Sequence, residues 1–135
     1  EICACLVGSE MCIRDSSGII DLISTFKKSG YNSLGIVCKT EAQAKDLAES
    51  LQIYTAEVYF LSNQSSAFVK GIIVTSSHMA KGLEFDEVII PHVNDKNYNS
   101  TIDKSMLYVA VTRAMHKLTL TYNGKLSEFV PDFKL

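Results

Sequence analysis

Long hydrophobic runs are missing from this 135-residue sequence, since none approaches the roughly 20 residues that a membrane-spanning helix needs. A basic leader followed by a long apolar segment, the pattern of a secretory signal, is missing as well. These absences favour a cytoplasmic protein with no membrane among its partners. The sequence also has no internal repeat, and its length is about that of one domain.

Neither sign of charge dominates: 13 Lys and Arg residues against 15 Asp and Glu residues give a formal net charge of −2. That balance neither requires nor excludes nucleic acid, because a phosphate-binding surface can lie on a nearly neutral domain. Paired zinc ligands are absent, because Cys3, Cys5 and Cys12 lack the usual Cys-x-x-Cys or Cys/His spacing. We therefore expect no metal site in this chain. Cys38 stands in an apolar run and is expected to be a small core residue.

Apolar residues make up 47% of the chain, which is typical of a globular protein. Short apolar runs rich in β-branched residues alternate with patterns of helical period. The strands are predicted at 34–38, 56–61, 71–75, 87–91 and 117–122, and the helices at 17–30, 40–51 and 103–115. Continuous apolar strands between helices predict a mainly parallel sheet covered on both faces, which is an α/β three-layer sandwich.

The second predicted helix has a sequence signature at its start. Thr40 is expected to be the N-cap, with Gln43 bonding back to it in a capping box. A buried stripe is predicted at Ala44, Leu47, Ala48 and Leu51.

The first 16 residues, "EICACLVGSEMCIRDS", do not show a sustained period of 2 or 3.6. They resemble a spurious end that recurs in translated assemblies. We therefore expect 1–16 to be a non-native or irregular terminus and the domain to occupy 17–135. The alternative is that "ICACLV" is an ordinary first strand.

A polar segment, "SSHMAKG", follows the predicted strand that ends at Thr75. His78 and Lys81 carry donors that suit phosphate oxygens, and Glu84 offers an acceptor for a ribose hydroxyl. Gly82 allows a ligand to approach the backbone where a Cβ would clash. Because ligands bind beyond the carboxyl ends of parallel strands, we expect this segment to lie at that edge of the sheet. Taken singly, each residue is more simply explained as a surface charge or a turn residue.

Together these residues match a known pattern. "TSSHMAKGLEFDEVII" resembles motif V of the UvrD/Rep-type superfamily 1 DNA helicases, and "LYVAVTRAMHKLTL" resembles their motif VI. "LGIVCKTEAQAKDLAESL" is similar to the strand and helix that open the same domain. The three matches occur in the family's order and cover residues 34–122. Within the family, the motifs look most like those of the helicase IV group and its relatives that act on RNA polymerase.

The resemblance implies a RecA-like second motor domain, with the nucleotide lying between it and a first motor domain. It assigns ATP-binding roles to Gly82, Glu84 and Arg113, and contacts with the single-stranded DNA backbone to Thr75, His78 and Lys81. Arg113 would be catalytic, because an always-charged, forked guanidinium can stabilise charge on the transferring phosphoryl group. Lys39, His116 and Lys117 are interpreted as solvated or flanking charges, and Phe85 and Tyr108 as core residues.

The sequence contains no Gly-x-x-x-x-Gly-Lys-Ser/Thr phosphate loop and no visible Walker-type acidic pair for magnesium. We therefore expect a P-loop NTPase-type domain without the P-loop, inactive alone, that forms the C-terminal part of an ATP-dependent DNA helicase or translocase. ATP and Mg²⁺ would be its cofactors, with the Mg²⁺ ligands supplied by the N-terminal motor domain of the same protein. Single-stranded DNA and RNA polymerase are the other expected partners. The alternative is a non-hydrolysing helicase-like module that binds nucleic acid or RNA polymerase.

Overall fold

The computed structural model describes residues 3–9, 16–54, 57–61, 71–123 and 127–129. In chain order the elements are β1 (Cys3–Ser9), α1 (Ser16–Ser29), β2 (Ser33–Cys38), α2 (Glu41–Gln52), β3 (Val58–Phe60), β4 (Gly71–Ser76), α3 (Ser77–Ala80), β5 (Phe85–Ile90), α4 (Thr101–Val111) and β6 (Ala114–Asn123). The strands form one sheet in the order β1-β6-β5-β2-β4-β3, and every pairing between them is parallel.

The sheet is buried on both faces because its central strands are apolar at nearly every position. Ile36 of β2 and Val74 of β4 pack with α1 and α2 in one core cluster. Val37 and Ile73, their neighbours along the same strands, pack with α3 and α4 in the other cluster. Successive side chains of a strand point to opposite faces, so continuous apolar runs serve both cores. The predicted α/β three-layer sandwich is confirmed.

The helices on the first face each bury an apolar stripe, and the stripe of α2 is the predicted one. α1 buries Ile19, Ile23 and Phe26, and α2 buries Ala44, Leu47, Ala48 and Leu51. Among the described residues, no helix is both long and apolar enough to cross a membrane.

The predicted capping box of α2 is only half right. Thr40 is the N-cap, and its side chain accepts a hydrogen bond from the Gln43 backbone N–H at 3.2 Å. The Gln43 side chain does not bond back, because its Nε2 donates to Asn97 Oδ1 at 3.0 Å. The complete capping box lies at the start of α4, where Ser100 and Asp103 bond each other's backbone N–H groups.

The end of α4 differs from the prediction. A helix over 103–115 was expected, but α4 ends at Val111 and β6 begins at Ala114. Ala114 is drawn into the sheet because it pairs with Phe85, the first residue of β5. Arg113 therefore lies in the turn between α4 and β6, and not on the helix.

Residues 3–9 form a regular strand that pairs with β6 from Lys117 to Asn123. This agrees with the alternative considered for "ICACLV", so the irregular terminus expected over 1–16 does not include these seven residues. The assignment of 17–135 as the domain, and the non-native origin of the terminus, stay predictions.

Candidate nucleotide and nucleic-acid site

The polar segment between β4 and β5 connects opposite edges of the sheet. Ser76, at the carboxyl end of β4, pairs with Cys38 at the carboxyl end of β2. Phe85 starts β5 and pairs with Ala114 at the start of β6, so it lies at the amino edge. The expectation that the whole segment lies at the carboxyl edge is therefore wrong. Only the first residues of the segment lie at the carboxyl edge. The eight residues between Ser76 and Phe85 then carry the chain back over one face of the sheet to the amino edge, where the next parallel strand begins.

The amino edge brings Glu84 and Arg113 together, since each directly precedes a paired strand. The Phe85 backbone N–H donates to the Arg113 carbonyl at 2.9 Å. In the opposite direction, Arg113 Nη1 donates to the Leu83 carbonyl at 3.3 Å. Glu84 lies between these two contacts with its side chain exposed. The two motifs thus meet at the amino edge, where Glu84 stands in the chain between the two residues that bond to Arg113.

Arg113 is half-buried and makes three hydrogen bonds through its guanidinium. Besides Nη1 to Leu83, Nε donates to the Val109 carbonyl at 3.1 Å, and Nη2 donates to Thr112 Oγ1 at 3.1 Å. All three acceptors are uncharged oxygens at the end of α4 or in the Leu83 segment. The side chain is therefore folded back along its own domain.

Gly82 has a φ of +88°, the left-handed region that favours glycine. A Cβ built on it would meet no atom of the protein within 4 Å. Its backbone conformation accounts for the glycine at this position. The space beside it is open, and the approach of a ligand to this backbone stays a prediction.

The start of β5 is held in place by a close contact beneath the site. Phe85 is fully buried, and its ring lies directly against Gly35 of β2, where a Cβ would overlap the ring. This packing fixes the backbone on which Glu84 is mounted. Phe85 is the core residue that was predicted, whereas Tyr108 is not, because 57% of its surface is exposed on α4.

The predicted DNA-contacting residues differ in their exposure to solvent. His78 and Lys81 are exposed on and just after α3. Thr75 is fully buried, and its hydroxyl donates to the Leu61 carbonyl at 3.1 Å. It therefore does not face the surface that carries His78, and its predicted contact with DNA does not fit this arrangement. α3 begins there because Ser76 caps it, accepting a hydrogen bond from the Met79 N–H at 3.3 Å.

Lys39 was interpreted as a solvated charge, and that interpretation is wrong. Its Nζ lies 2.8 Å from Asp103 Oδ1 and donates to the Asn97 carbonyl at 2.7 Å. Burial raises the pKa of Asp103, but hydrogen bonds from Lys39 and from the N–H groups of Asn99 and Ser100 outweigh it and hold the pKa below its ordinary value. The signal in the sequence was the position of Lys39 directly after β2, at the carboxyl edge.

Lys117 also has a partner inside the sheet. Its Nζ lies 3.6 Å from Oε1 of Glu87, a residue with no exposed surface. Burial raises the pKa of Glu87, and the nearby charge of Lys117 offsets this only in part. His116 stacks on Tyr31 with ring centroids 5.4 Å apart. These residues are thus part of the packed structure and not merely flanking charges.

A metal site is not apparent at either edge: within the described ranges, no three His, Cys, Asp or Glu side chains cluster so as to hold an ion. The exposed Glu84 carboxylate and the donors of Arg113 suit a ribose hydroxyl and a phosphate, respectively. The donor set therefore fits part of a nucleotide.

Comparison with known proteins identifies the fold and the family. The structure superimposes with a TM-score of 0.81 on the C-terminal domain of a possible DNA helicase from Lactobacillus plantarum WCFS1, with 28% identity, covering 93% of this chain and 77% of that one. The SWI2/SNF2 ATPase core of Sulfolobus solfataricus, solved in complex with double-stranded DNA, gives a TM-score of 0.61 at 16% identity, covering 87% of this chain and 27% of that one. The fold is thus that of RecA-like helicase domains.

At the level of sequence, DNA helicase II of Escherichia coli (strain K12) is 35% identical over 69 aligned positions. That match covers 44% of this chain and 10% of the length of the relative. The family model for the UvrD-like helicase C-terminal domain matches residues 36–125, which include both motifs of the candidate site. The chain therefore belongs to the UvrD-like superfamily 1 helicases, as a C-terminal domain of that family.

Proposed function

We propose that this chain is the C-terminal part of an ATP-dependent DNA helicase or translocase and supplies half of a composite ATP site. The observation that carries the proposal is the meeting of Glu84 and Arg113 at the amino edge, through the hydrogen bonds that join Leu83 and Phe85 to Arg113. A carboxylate at this edge suits the ribose of a nucleoside triphosphate, and a guanidinium suits its γ-phosphate. The names and family of the relatives support the same assignment.

The chemistry follows from the groups present. Glu84 would accept hydrogen bonds from a ribose hydroxyl, and Gly82 would let the nucleotide approach the backbone. Arg113 would donate to the γ-phosphate, where its charge is most useful when negative charge spreads over the transferring group. Mg²⁺ bound with ATP would neutralise phosphate charge, and its ligands are expected from the N-terminal motor domain of the same protein.

The nucleic-acid part of the proposal rests on His78 and Lys81. Both side chains are exposed on the connection that leaves the carboxyl edge at Ser76. Their N–H donors suit the backbone phosphates of single-stranded DNA. Because these two residues can neutralise few phosphates, the contact should be weak and should weaken further with added salt.

The test is the Arg113→Ala variant of the intact protein that contains this chain. We expect it to lose ATP hydrolysis by about 10³-fold or more, the range for such an arginine, while nucleotide binding stays within about tenfold because the effect falls mainly on the transition state. Lys45→Ala, which removes an exposed cation on α2, serves as the matched control and should leave both unchanged.

Near-normal steady-state hydrolysis in Arg113→Ala would overturn the assignment of Arg113. An intact wild-type protein that binds nucleic acid or RNA polymerase but hydrolyses no ATP would instead support the non-hydrolysing module.

A further inference from the structure

Thr112 lies at the end of α4 and directly precedes Arg113. Its side chain contacts both the last turn of the helix and the Arg113 side chain. The backbone N–H of Thr112 donates to the Tyr108 carbonyl at 3.1 Å. Its Oγ1 lies 3.1 Å from the Tyr108 carbonyl oxygen and 2.9 Å from that of Val109. The same Oγ1 lies 3.1 Å from Arg113 Nη2. One hydroxyl therefore connects the end of the helix to the guanidinium.

The direction of these bonds follows from the hydroxyl itself. It has a single hydrogen, which it donates to one of the two helix carbonyls, and its lone pairs remain to accept from Arg113. The guanidinium is thereby held against oxygens from three residues, namely Thr112, Val109 and Leu83. The carbonyl end of a helix carries partial negative charge, which favours a cation at this place.

We propose that Thr112 is a positioning residue that holds Arg113 in a retracted position on the end of α4. A guanidinium has five N–H donors, and three of them are engaged here. The two remaining N–H donors can bind a first phosphate oxygen. The phosphate can then compete with the uncharged oxygens of Thr112, Val109 and Leu83 for the other three donors. The relevance to hydrolysis rests on the proposed function, whereas the hydrogen bonds that define the retracted position involve only this chain.

The chain offers a clean experiment, because Arg14 and Arg113 are its only arginines. Nitrogen-15 NMR of the 135-residue chain should show two arginine Nε signals, and Arg113→Ala identifies that of Arg113. The measured quantity is the rate of rotation about the Nε–Cζ bond, which hydrogen bonds to the guanidinium slow down. Thr112→Val removes the hydroxyl while keeping the shape of the side chain, and Thr112→Ser keeps the hydroxyl.

We expect Thr112→Val to speed rotation at Arg113 about tenfold, the factor that corresponds to one hydrogen bond to a charged group. Thr112→Ser should restore the wild-type rate, and the Arg14 signal should keep its rate in every variant. The amide spectrum of β5 and β6 reports whether the fold is intact, and Thr112→Ala replaces Thr112→Val if that variant does not fold.

An unchanged Arg113 rate in the folded valine or alanine variant would overturn the proposal, and so would a serine variant that behaves like the valine one. The result is independent of the proposed function. If the rates change as expected but Arg113→Ala leaves hydrolysis intact in the whole protein, the retracted position stands and the role in catalysis fails.

Discussion

At the scale of single residues, Gly82 shows how one position can serve both backbone and ligand. Its φ of +88° disfavours any residue with a Cβ, although no protein atom occupies the space where a Cβ would lie. Glycine can be required at this position for its backbone conformation or for the open space beside it. Two substitutions can distinguish these two requirements.

We predict that Gly82→Ala lowers the free energy of unfolding by about 1 kcal/mol, because alanine in the left-handed region costs about that much. Gly82→Asn should cost less, since asparagine tolerates this conformation. Denaturant unfolding of the chain measures both. In the intact protein both variants should bind ATP more weakly, because both add a Cβ to the space proposed for the nucleotide. If Gly82→Asn binds ATP as the wild type does, glycine is needed only for the turn.

Glu87 is a second residue whose environment leads to a measurable effect. Burial raises its pKa, so folding disfavours the ionised carboxylate, and stability is lost as the pH rises through the native pKa. Glu87→Gln should therefore raise the free energy of unfolding at pH 7, because it removes a buried carboxylate whose oxygens have no hydrogen-bond partner among the described residues, and it should have a smaller effect near pH 4. Lys117 tolerates the loss of its partner, because 23% of its side chain is exposed and its ammonium can turn to water.

Thermal unfolding at both pH values checks this prediction, with Glu49→Gln on the exposed side of α2 as the control. A Glu87→Gln variant that is less stable than wild type at pH 7 would show that the ion pair with Lys117 outweighs the burial of the charge.

At the scale of elements, the start of α4 joins local capping to a long-range ion pair. Asp103 forms the capping box with Ser100 and accepts a further hydrogen bond from the Asn99 N–H group. It also forms an ion pair with Lys39, the residue directly after β2. One carboxylate therefore fixes both the first turn of α4 and its position over the sheet. Because Arg113 follows α4, this placement also determines where the guanidinium lies.

Asp103→Asn should lower the free energy of unfolding at pH 7 by roughly 1.5–3 kcal/mol, the range for hydrogen bonds to a charged group. The pKa of Asp103 is depressed in the folded chain, so its stabilisation is present above the ordinary value of 3.8 and is lost as the pH falls through the folded pKa. The difference between wild type and variant should therefore shrink below about pH 4. Denaturant unfolding as a function of pH measures it, with Asp46→Asn, exposed on α2, as the control. A difference that stays constant across that range would contradict the assigned cause.

At the scale of the whole molecule, the sheet separates two candidate surfaces that the sequence places in one segment. His78 follows the carboxyl edge, whereas Glu84 and Arg113 lie at the amino edge. The chain between Ser76 and Phe85 connects them, so nucleic acid and nucleotide would contact the two ends of one connection.

We predict that the purified chain hydrolyses ATP no faster than background, with or without single-stranded DNA. The β- and γ-phosphates need backbone amides, a lysine and a magnesium ion, and the chain contains no phosphate loop. Its nucleotide affinity should be millimolar or weaker, about −4 kcal/mol. A coupled ATPase assay tests the prediction. Robust turnover that disappears in Arg113→Ala would mean that these 135 residues hold a complete site.

Much of the architecture follows from local pattern. The apolar runs at β2, β4 and β5 predict buried parallel strands, because a strand that is covered on both faces needs apolar side chains at most of its positions. The stripe on α2 and the cap at Thr40 depend only on residues within a few positions of one another. The motif residues also identify the family without coordinates, because their types and order are a property of the chain.

The tertiary structure alone decided how those residues are arranged. Pairing of Phe85 with Ala114 ends α4 early and places Arg113 in a turn. The ion pair of Lys39 with Asp103 and the burial of Thr75 likewise depend on segments distant in sequence. Strand register and the contacts across a sheet arise from long-range packing, which no local period encodes. The sequence by itself therefore determined which groups are present and in which elements, and the fold determined which edge each group occupies and what it binds.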